Sequence, residues 1–297
     1  MKTIVLSQKE FKKLQPFYLA QNIVSTEGCL YYLKDKNQWE TQTKLLKRLY
    51  ITDGELFGNK LNTLNYLIDA SACISSSDFI MPEKLAIVND EVVGFTENYI
   101  PSYNLGVVLN SQRFTNEQKI AYLKEVGNIL EEMKNLRKND NLRNFYLNDC
   151  NENNFVIRKS DNHVNAVDLD SCRIKSNNPF PSRYLSIFSP VAGLQPKYKL
   201  HTDFNNGCYF IADENSDLFC YNIMILNFIF KGQVNFMDLT EFYNYLDYLL
   251  TLGIDKELID SFSKIYSYSD NINPKELLET LIPHLEKSSK KEYTKKV

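Results

Sequence analysis

Histidine and closely paired cysteine are scarce in this sequence. Its 297 residues include three scattered histidines, His163, His201 and His284. A histidine-based metal site or a Ser-His-Asp triad is hard to build from so few residues. None of the six cysteines forms a C-x-x-C pair, which argues against a zinc knuckle and against a thioredoxin-type motif. We therefore expect the cysteines to be reduced and to pack as small apolar residues.

The sequence also lacks a large charge excess and a long apolar run. Its 34 Lys and Arg residues oppose 37 Asp and Glu residues, a formal net charge of −3, so nucleic acid is not expected as the main partner. Even the apolar stretch Tyr221–Phe230 contains Asn222 and Asn227, and no run reaches the length of a membrane span. Residues 1–13 lack the apolar core of a secretory signal. These absences predict no membrane span and a cytoplasmic location.

The remaining composition is that of a globular protein. Hydrophobic residues make up 43% and charged residues 24% of the chain, both close to ordinary averages. These values exclude a largely disordered chain, a collagen-like chain and a disulfide-stabilised miniprotein. The length is enough for one large or two small domains.

The first hundred residues have the pattern of short strands around one helix. Apolar and aromatic runs predict strands at Gly28–Leu33, Lys44–Ile51, Leu85–Val88 and Val92–Phe95. The last two flank Asn89-Asp90-Glu91 and form a predicted hairpin. Leucines between Leu56 and Ile68 recur at nearly helical spacing and predict the helix.

After Pro101 the pattern becomes mainly helical. The residues Thr115-x-x-Gln118 form a predicted capping box that opens a helix ending near Leu136. A hairpin follows, with predicted strands Asn154–Ile157 and Val164–Val167. Further helices are predicted at the apolar segment Asp217–Phe230 and from Asn273-Pro274-Lys275-Glu276 onward.

This order predicts an α+β fold of two lobes. The strand-rich lobe comprises residues 1–100, and the helical lobe comprises residues 101–297. They join near Glu97–Pro101, and a cleft between lobes is a preferred place for a ligand.

The residues best suited to chemistry lie between positions 146 and 174. Asp149 is followed five positions later by Asn154 and, after the hairpin, by Asp168. A carboxylate can orient a hydroxyl and accept its proton, while an amide oxygen and a carboxylate are suitable ligands for Mg²⁺. The hairpin brings its two ends together, so these residues suit phosphoryl transfer. The plain alternative is that they are turn residues of a polar loop.

This segment resembles the catalytic loop and metal-binding motif of the protein-kinase superfamily, H-R-D-x-x-x-x-N followed by D-F-G. The resemblance implies that Asp149 is the catalytic residue and that Asn154 and Asp168 hold the metal, with Leu169-Asp170 in place of Phe-Gly. Downstream, the helix that begins near Asp217 resembles the Ser-Asp helix of the kinase large lobe. Upstream, VVGFTENYI resembles the strand and hinge against which adenine packs.

The resemblance implies a bilobal fold that binds ATP and Mg²⁺, with a small antiparallel-sheet N-lobe containing one helix and a larger helical C-lobe. Lys47, with Lys34 and Lys44 as alternatives, would contact the phosphates and pair with Glu55 of the helix. Gly28 is the one glycine near the phosphate-covering loop. Plain alternatives are a solvated lysine, a first-turn acid and a turn glycine. The hinge residues beside adenine would be Glu97, Asn98, Tyr99 and Ile100.

Several departures from the family pattern bear on the activity. The G-x-G-x-x-G loop and the A-P-E motif are missing, and Leu147-Asn148 replaces His-Arg. Asp170 rivals Asp168 as metal ligand, but we favour Asp168 because it directly follows the predicted strand. The expected function is transfer of the γ-phosphate of ATP to a hydroxyl acceptor, a protein Ser or Thr in preference to a small molecule. The alternatives are a weakly active pseudokinase serving as a nucleotide- or protein-binding regulatory module and, less favoured, a nucleotidyl transferase.

Overall fold

The computed structural model describes most of the chain. The described residues are 2–17, 27–33, 44–74, 77–177, 201–203, 207–209, 212–230, 239–251, 253–257, 259–260, 263, 275 and 278. Within them the chain has an α+β fold, as predicted. The predicted last helix, from Asn273 onward, lies outside the described residues apart from two single positions.

The elements follow one another along the chain in this way. The strands are β1 Thr3–Leu6, β2 Gln15–Phe17, β3 Gly28–Leu33, β4 Lys44–Leu49, β5 Lys84–Val88, β6 Glu91–Asn98, β7 Ser102–Asn104, β8 Phe155–Arg158, β9 Val164–Ala166, β10 His201–Asp203 and β11 Gly207–Tyr209. The helices are α1 Gln8–Phe11, α2 Gly54–Ala70, α3 Leu105–Asn110, α4 Asn116–Leu136, α5 Glu214–Phe230 and α6 Leu239–Thr251.

A six-stranded sheet has the strand order β1-β5-β6-β4-β3-β2. Its strands pair antiparallel, except that β1 pairs parallel with β5. The four strands predicted for the first hundred residues are present, but β4 ends at Leu49 and not at Ile51. The strand β6 runs from Glu91 to Asn98, beyond the predicted Val92–Phe95. Asn89 and Asp90, with φ of 51° and 65°, form the tight two-residue turn of the predicted β5–β6 hairpin. The strands β1 and β2 are only four and three residues long, too short for a recognisable pattern.

The two faces of this sheet are packed differently because side chains alternate along a strand. On one face, Leu46 of β4 belongs to an apolar cluster with Leu6, Leu33, Ala86 and Val88. On the other face, Leu49 of β4 packs with residues of α2, β5 and β6, namely Leu64, Ile68, Leu85 and Phe95. Lys47 alternates with Leu46, so its side chain lies on the face covered by α2.

A glycine allows β6 to lie close to β4 beside Lys47. A Cβ at Gly94 would lie 2.9 Å from the carbonyl carbon of Lys47 and closer still to its oxygen, which real Cβ atoms essentially never do. We therefore expect Gly94→Ala to lower the free energy of unfolding by at least about 1–3 kcal/mol, the usual effect of overpacking. Urea denaturation measures this. The matched control is Gly58→Ala on α2, where the added Cβ meets no atom within 4 Å and helix propensity favours alanine by about 0.5–1 kcal/mol. Equal stability of Gly94→Ala and wild type would contradict the prediction.

A three-stranded sheet, in the order β7-β8-β9, contains the predicted second hairpin. Its last strand ends at Ala166, one residue earlier than predicted. The Ala166 N–H donates to the Asp78 carbonyl at 2.8 Å, and the Ile80 N–H donates to the Ala166 carbonyl at 2.9 Å. The hairpin is therefore attached to the segment that follows α2.

The two long helices α4 and α5 confirm their sequence signals. The Thr115 N–H donates to Gln118 Oε1 at 2.9 Å, and the Gln118 N–H donates to Thr115 Oγ1 at 3.3 Å, which is the predicted capping box. The helix α5 begins at Glu214, three residues before its predicted start. Its Tyr221 hydroxyl donates to the Leu123 carbonyl of α4 at 2.6 Å, so these two helices pack together.

The chain divides into two compact units. The first comprises Met1–Asn104, Asn135–Leu147 and Asn153–Phe180, and the second comprises Leu105–Lys134, Asn148–Glu152 and Pro181–Val297. The first unit therefore holds both the six-stranded and the three-stranded sheet together with α2. The second holds α3, most of α4, α5 and α6. The division into lobes at residue 100 stays a prediction.

Free thiols are found at Cys29, Cys73, Cys150, Cys172 and Cys220. The last three of these are buried, as expected for cysteines that pack as small apolar side chains. Among the helices of the described segments, none has both the length and the apolar character needed to cross a membrane.

Candidate functional site

Lys47 lies at the centre of a buried cluster of charges in the first unit. It is 4% exposed, and its Nζ donates to Asp170 Oδ1 at 2.9 Å and to the carboxylate of Asp168. Burial alone would lower the pKa of Lys47, but the two carboxylates raise it above its ordinary value. Lys47 is therefore a fixed ammonium ion on a central strand of the sheet.

Asp170 connects this strand to the helix α2. Its side chain is fully buried, and its Oδ2 lies 2.6 Å from Nζ of Lys60, a buried residue of α2. Burial alone would raise the pKa of Asp170, but the charges of Lys47 and Lys60 hold it below its usual range. One carboxylate thus bridges two ammonium groups.

Two further residues complete the cluster. Lys60 Nζ donates to Glu27 Oε2 at 2.6 Å, and Ser171 Oγ donates to the same oxygen at 3.2 Å. Two lysines face three carboxylates here, so the formal charge of the set is −1. We call this set the lysine–aspartate cluster; its members are Glu27, Lys47, Lys60, Asp168, Asp170 and Ser171.

Asp168 and Asp170 come from a turn and not from an extended strand. Asp168 has a left-handed backbone, with φ of 62° and ψ of 42°, and a short 3₁₀ turn follows it at Leu169–Ser171. Because β9 ends at Ala166, neither Asp168 nor Asp170 directly follows a strand. That criterion therefore does not decide which of the two carboxylates binds the metal. Exposure does, because the Asp168 side chain is 34% exposed and that of Asp170 is 0% exposed. Of these two carboxylates, Asp168 is therefore the one that a cation can reach.

Asn154 lies close to Asp168 along the hairpin. The N–H of Val167, the residue before Asp168, donates to the Asn154 carbonyl at 2.9 Å. The hairpin therefore brings the two predicted metal ligands to the same end. Within the described segments, no group of three or more His, Cys, Asp and Glu side chains converges as a metal site. Magnesium is commonly held by one or two carboxylates together with substrate phosphates, which needs no such group.

Asp149 belongs to the second unit and is half-buried. Its Oδ1 accepts a hydrogen bond of 2.9 Å from Asn151 Nδ2. The N–H of the preceding residue, Asn148, donates to Oδ1 of Asp217 on α5 at 3.1 Å. Asp217 is 4% exposed, so a buried carboxylate near the start of α5 holds the backbone of this loop.

The hinge residues and the alternative lysines are placed as follows. Nζ of Lys44 lies 2.5 Å from Glu83 Oε2 and 2.7 Å from Asn98 Oδ1, so that lysine already has two partners away from Asp168. The ring of Tyr99 contacts the rings of Phe17 and Tyr32 edge-on, at centroid distances of 5.8 and 5.7 Å. Ile100 is partly exposed in the link that follows β6. The other alternative, Lys34, lies outside the described residues.

The structure does not bring Glu55 to Lys47. Glu55 is exposed in the first turn of α2, whereas the partners of Lys47 are Asp168 and Asp170. The buried charged residue of α2 is Lys60, which sequence reasoning missed. A signal for it exists, because Lys60 lies four and seven positions before Leu64 and Leu67, within the buried stripe of the helix.

Gly28 has a packing reason to be glycine. It begins β3, opposite Leu49 of β4. A Cβ there would lie 3.2 Å from the carbonyl carbon of Arg48 and closer still to its oxygen. This close approach of two strands explains the glycine without any ligand.

Glu97 is a buried acid on the same face of the sheet as Lys47. It pairs with Leu45 across β4 and β6, as Phe95 pairs with Lys47, and it is 8% exposed. Burial and then the charge of Asp168 raise the pKa of Glu97 to about 8, against the opposing effect of Lys47. Sequence reasoning considered Glu97 only as a hinge residue beside adenine, because the predicted strand stopped at Phe95.

This raised pKa predicts a loss of stability with rising pH. The folded protein keeps a proton on Glu97 up to about pH 8, while the unfolded chain releases it near the ordinary value of 4.5. Its contribution to stability is therefore complete at about pH 4 and falls as pH rises towards 8. We expect Glu97→Gln to flatten that part of the pH profile, measured as melting temperature between pH 4 and pH 8.5. Glu91→Gln, at the exposed start of the same strand, should keep the wild-type slope. Parallel slopes for Glu97→Gln and wild type would contradict the assignment.

Comparison with known proteins assigns no family to the chain. No protein-family model matches it, and no curated protein matches it. Function therefore has to be inferred from the residues of the site and their chemistry.

Proposed function

We propose that this protein is an ATP- and Mg²⁺-dependent phosphotransferase of protein-kinase-like fold, which transfers the γ-phosphate to a hydroxyl group, preferably of a protein Ser or Thr. The observation that carries the proposal is the contact between Lys47 and Asp168. It joins the two predicted phosphate and metal residues, which are 121 positions apart in the sequence.

The architecture of the first unit supports this proposal. It contains a small, mostly antiparallel sheet whose strands β4 and β5 are connected through one long helix. Lys47 is on the strand just before that helix, where the resemblance implies the phosphate-binding lysine. In the second unit, Asp217 accepts a hydrogen bond from the backbone N–H of Asn148, the residue before Asp149. This contact fits the structural role that the resemblance implies for Asp217.

The donor set suits a magnesium ion bound together with phosphates. The lysine–aspartate cluster has a formal charge of −1, and Asp168 is its accessible carboxylate. Asn154, whose backbone carbonyl accepts from the residue before Asp168, would add a neutral amide oxygen. Hard oxygen donors of this kind are those that Mg²⁺ prefers. Asp168 and Asn154 would hold the ion, and Lys47 would hold phosphate oxygens.

The protein groups then have separate roles in the transfer. ATP supplies the phosphoryl group, and Mg²⁺ neutralises the charge on its phosphates. Asp149 would orient the acceptor hydroxyl and take its proton at a carboxylate oxygen. The hydrogen bond from Asn151 fixes the orientation of that carboxylate.

The direct test uses ATP labelled at either the α- or the γ-phosphate. The protein is incubated with each label, Mg²⁺ and a mixture of protein acceptors. We expect transfer of the γ-label only. Transfer of the α-label would instead indicate a nucleotidyl transferase, and transfer of neither label would contradict the proposed activity.

A second candidate is a pseudokinase that binds nucleotide or protein without turnover. It is favoured by one observation, that the charge of Lys47 is already matched by two carboxylates. Thermal stabilisation by ATP follows RT ln(1 + [L]/Kd) whether or not transfer occurs. Stabilisation that depends on Mg²⁺, without label transfer to any acceptor, would therefore support this candidate.

A further inference from the structure

The helix α2 carries a lysine where the resemblance implies a carboxylate. The expected acid, Glu55, is exposed. The buried charged residue of the helix is Lys60, which lies 2.6 Å from Asp170 Oδ2. The same Asp170 accepts a hydrogen bond from Lys47 through its other oxygen. The buried acid that faces Lys47 thus lies in the turn after β9 and not on the helix, where the resemblance implies it.

We propose that Asp170, clamped by Lys60, is the positioning residue of Lys47 and takes the place of a helix carboxylate. This inference rests on the proposed function only in taking Lys47 to be the lysine that contacts the phosphates of ATP. The ion pairs themselves belong to the protein without any ligand.

Burial and geometry fix Asp170 more firmly than Asp168. Each oxygen of Asp170 faces a different ammonium group, at 2.9 Å for Lys47 and 2.6 Å for Lys60. Its side chain is 0% exposed, so water does not replace either partner. Asp168 is 34% exposed and is the residue assigned to the metal. If Asp168 turns to a cation, Asp170 still holds Lys47 in place.

Lys60 is itself anchored from a third part of the chain. Glu27, just before β3, accepts from Lys60 Nζ at 2.6 Å and from Ser171 Oγ at 3.2 Å. Ser171 is the neighbour of Asp170 in the 3₁₀ turn. The clamp therefore ties the sheet, the helix and the turn together within one unit. Buried charges require such pairing, because an unpaired one is strongly unfavourable.

The test measures Lys47 directly and does not need a ligand. Wild type, Asp170→Asn and Lys60→Met are exposed to an amine-acylating reagent, and the modification of Lys47 is followed by mass spectrometry. We expect Lys47 to react at least about tenfold faster in Asp170→Asn, the change that follows from loss of one charged hydrogen bond. Lys60→Met keeps Asp170 but removes its clamp, so it should give a smaller increase. Asp161→Asn, in the exposed hairpin turn, is the matched control and should react like wild type.

A variant with the carboxylate on the helix distinguishes a role of Asp170 in positioning Lys47 from a role in packing alone. The double variant Lys60→Glu/Asp170→Gly returns a carboxylate to α2, at the position whose side chain contacts Asp170 as Lys47 does. We expect slower Lys47 modification and at least about tenfold tighter ATP binding in this variant than in Asp170→Gly alone. A purely structural role of Asp170 would give no such recovery.

The outcomes for the two proposals differ. Unchanged Lys47 reactivity in Asp170→Asn and Lys60→Met would overturn the positioning role, whatever ATP does. If Asp170→Asn fails to fold, unchanged Lys47 reactivity in Lys60→Met, which retains the Asp170–Lys47 contact, overturns it instead. Failure of the wild type to bind ATP, with Lys47 reactivity altered as expected, would overturn the proposed function and leave the positioning role supported.

Discussion

Asp149→Asn should slow phosphoryl transfer by about 10²–10⁴-fold, the usual contribution of a general base, while ATP binding stays nearly unchanged. The amide has the shape of the carboxylate but cannot accept the proton of an acceptor hydroxyl. Affinity for ATP comes instead from phosphate and adenine contacts made by other residues. Initial rates of γ-label transfer and an ATP titration by calorimetry measure the two quantities separately.

The control for this variant is another carboxylate-to-amide change in an exposed position. Asp140 lies in an exposed 3₁₀ turn, so Asp140→Asn should retain wild-type transfer and binding. If Asp149→Asn kept full activity, Asp149 would be only a loop residue. If it lost ATP binding and thermal stability together, its role would be structural.

Asp168→Ala should abolish the Mg²⁺-dependent part of ATP binding. Without this carboxylate, the ion that neutralises the phosphate charge loses its accessible charged ligand in the first unit. Metal-free binding should survive, because Lys47 keeps its 2.9 Å contact with Asp170. The measurement is an ATP titration at several Mg²⁺ concentrations.

Asp170→Ala provides the contrast, because it removes a carboxylate of the same cluster. It should keep the Mg²⁺ dependence but lose stability, since breaking a buried ion pair lowers the free energy of unfolding by about 3–5 kcal/mol. Urea denaturation of both variants measures the expected loss of stability. Loss of the Mg²⁺ dependence in Asp170→Ala but not in Asp168→Ala would show that Asp170, and not Asp168, holds the metal. If neither variant lost it, the metal-site assignment would fail.

Local patterns made much of the fold predictable from the sequence. Runs of apolar and aromatic residues identified β3 and β4, and a polar turn between apolar runs identified the β5–β6 hairpin. The capping box at Thr115 marked the start of α4, because it needs only residues three positions apart. For the same reason, Lys47 could be placed on a strand and chosen as a candidate.

Contacts between distant residues could not be predicted in the same way. The contact of Lys47 with Asp170 spans 123 residues, and that of Ser171 with Glu27 spans 144. A lysine in a helix is ordinarily solvated, so the sequence did not predict that Lys60 is buried. Its burial results from the packing of α2 against the turn after β9, which is distant in the sequence. Similarly, β1 pairs with β5, some 80 positions further along the chain, and four residues have no pattern that could indicate this partner.

The distribution of the lysine–aspartate cluster along the chain also constrains how the protein reaches its native state during synthesis. Lys47 and Lys60 leave the ribosome about a hundred residues before Asp168 and Asp170. Until then, the two ammonium groups that become buried have only Glu27 among the acids of the cluster. The apolar residues that pack α2 on the sheet, Leu49, Leu64, Ile68, Leu85 and Phe95, are all made early. Lys47 and Lys60, in contrast, gain their native aspartate partners only after the 3₁₀ turn at Leu169–Ser171 has been made.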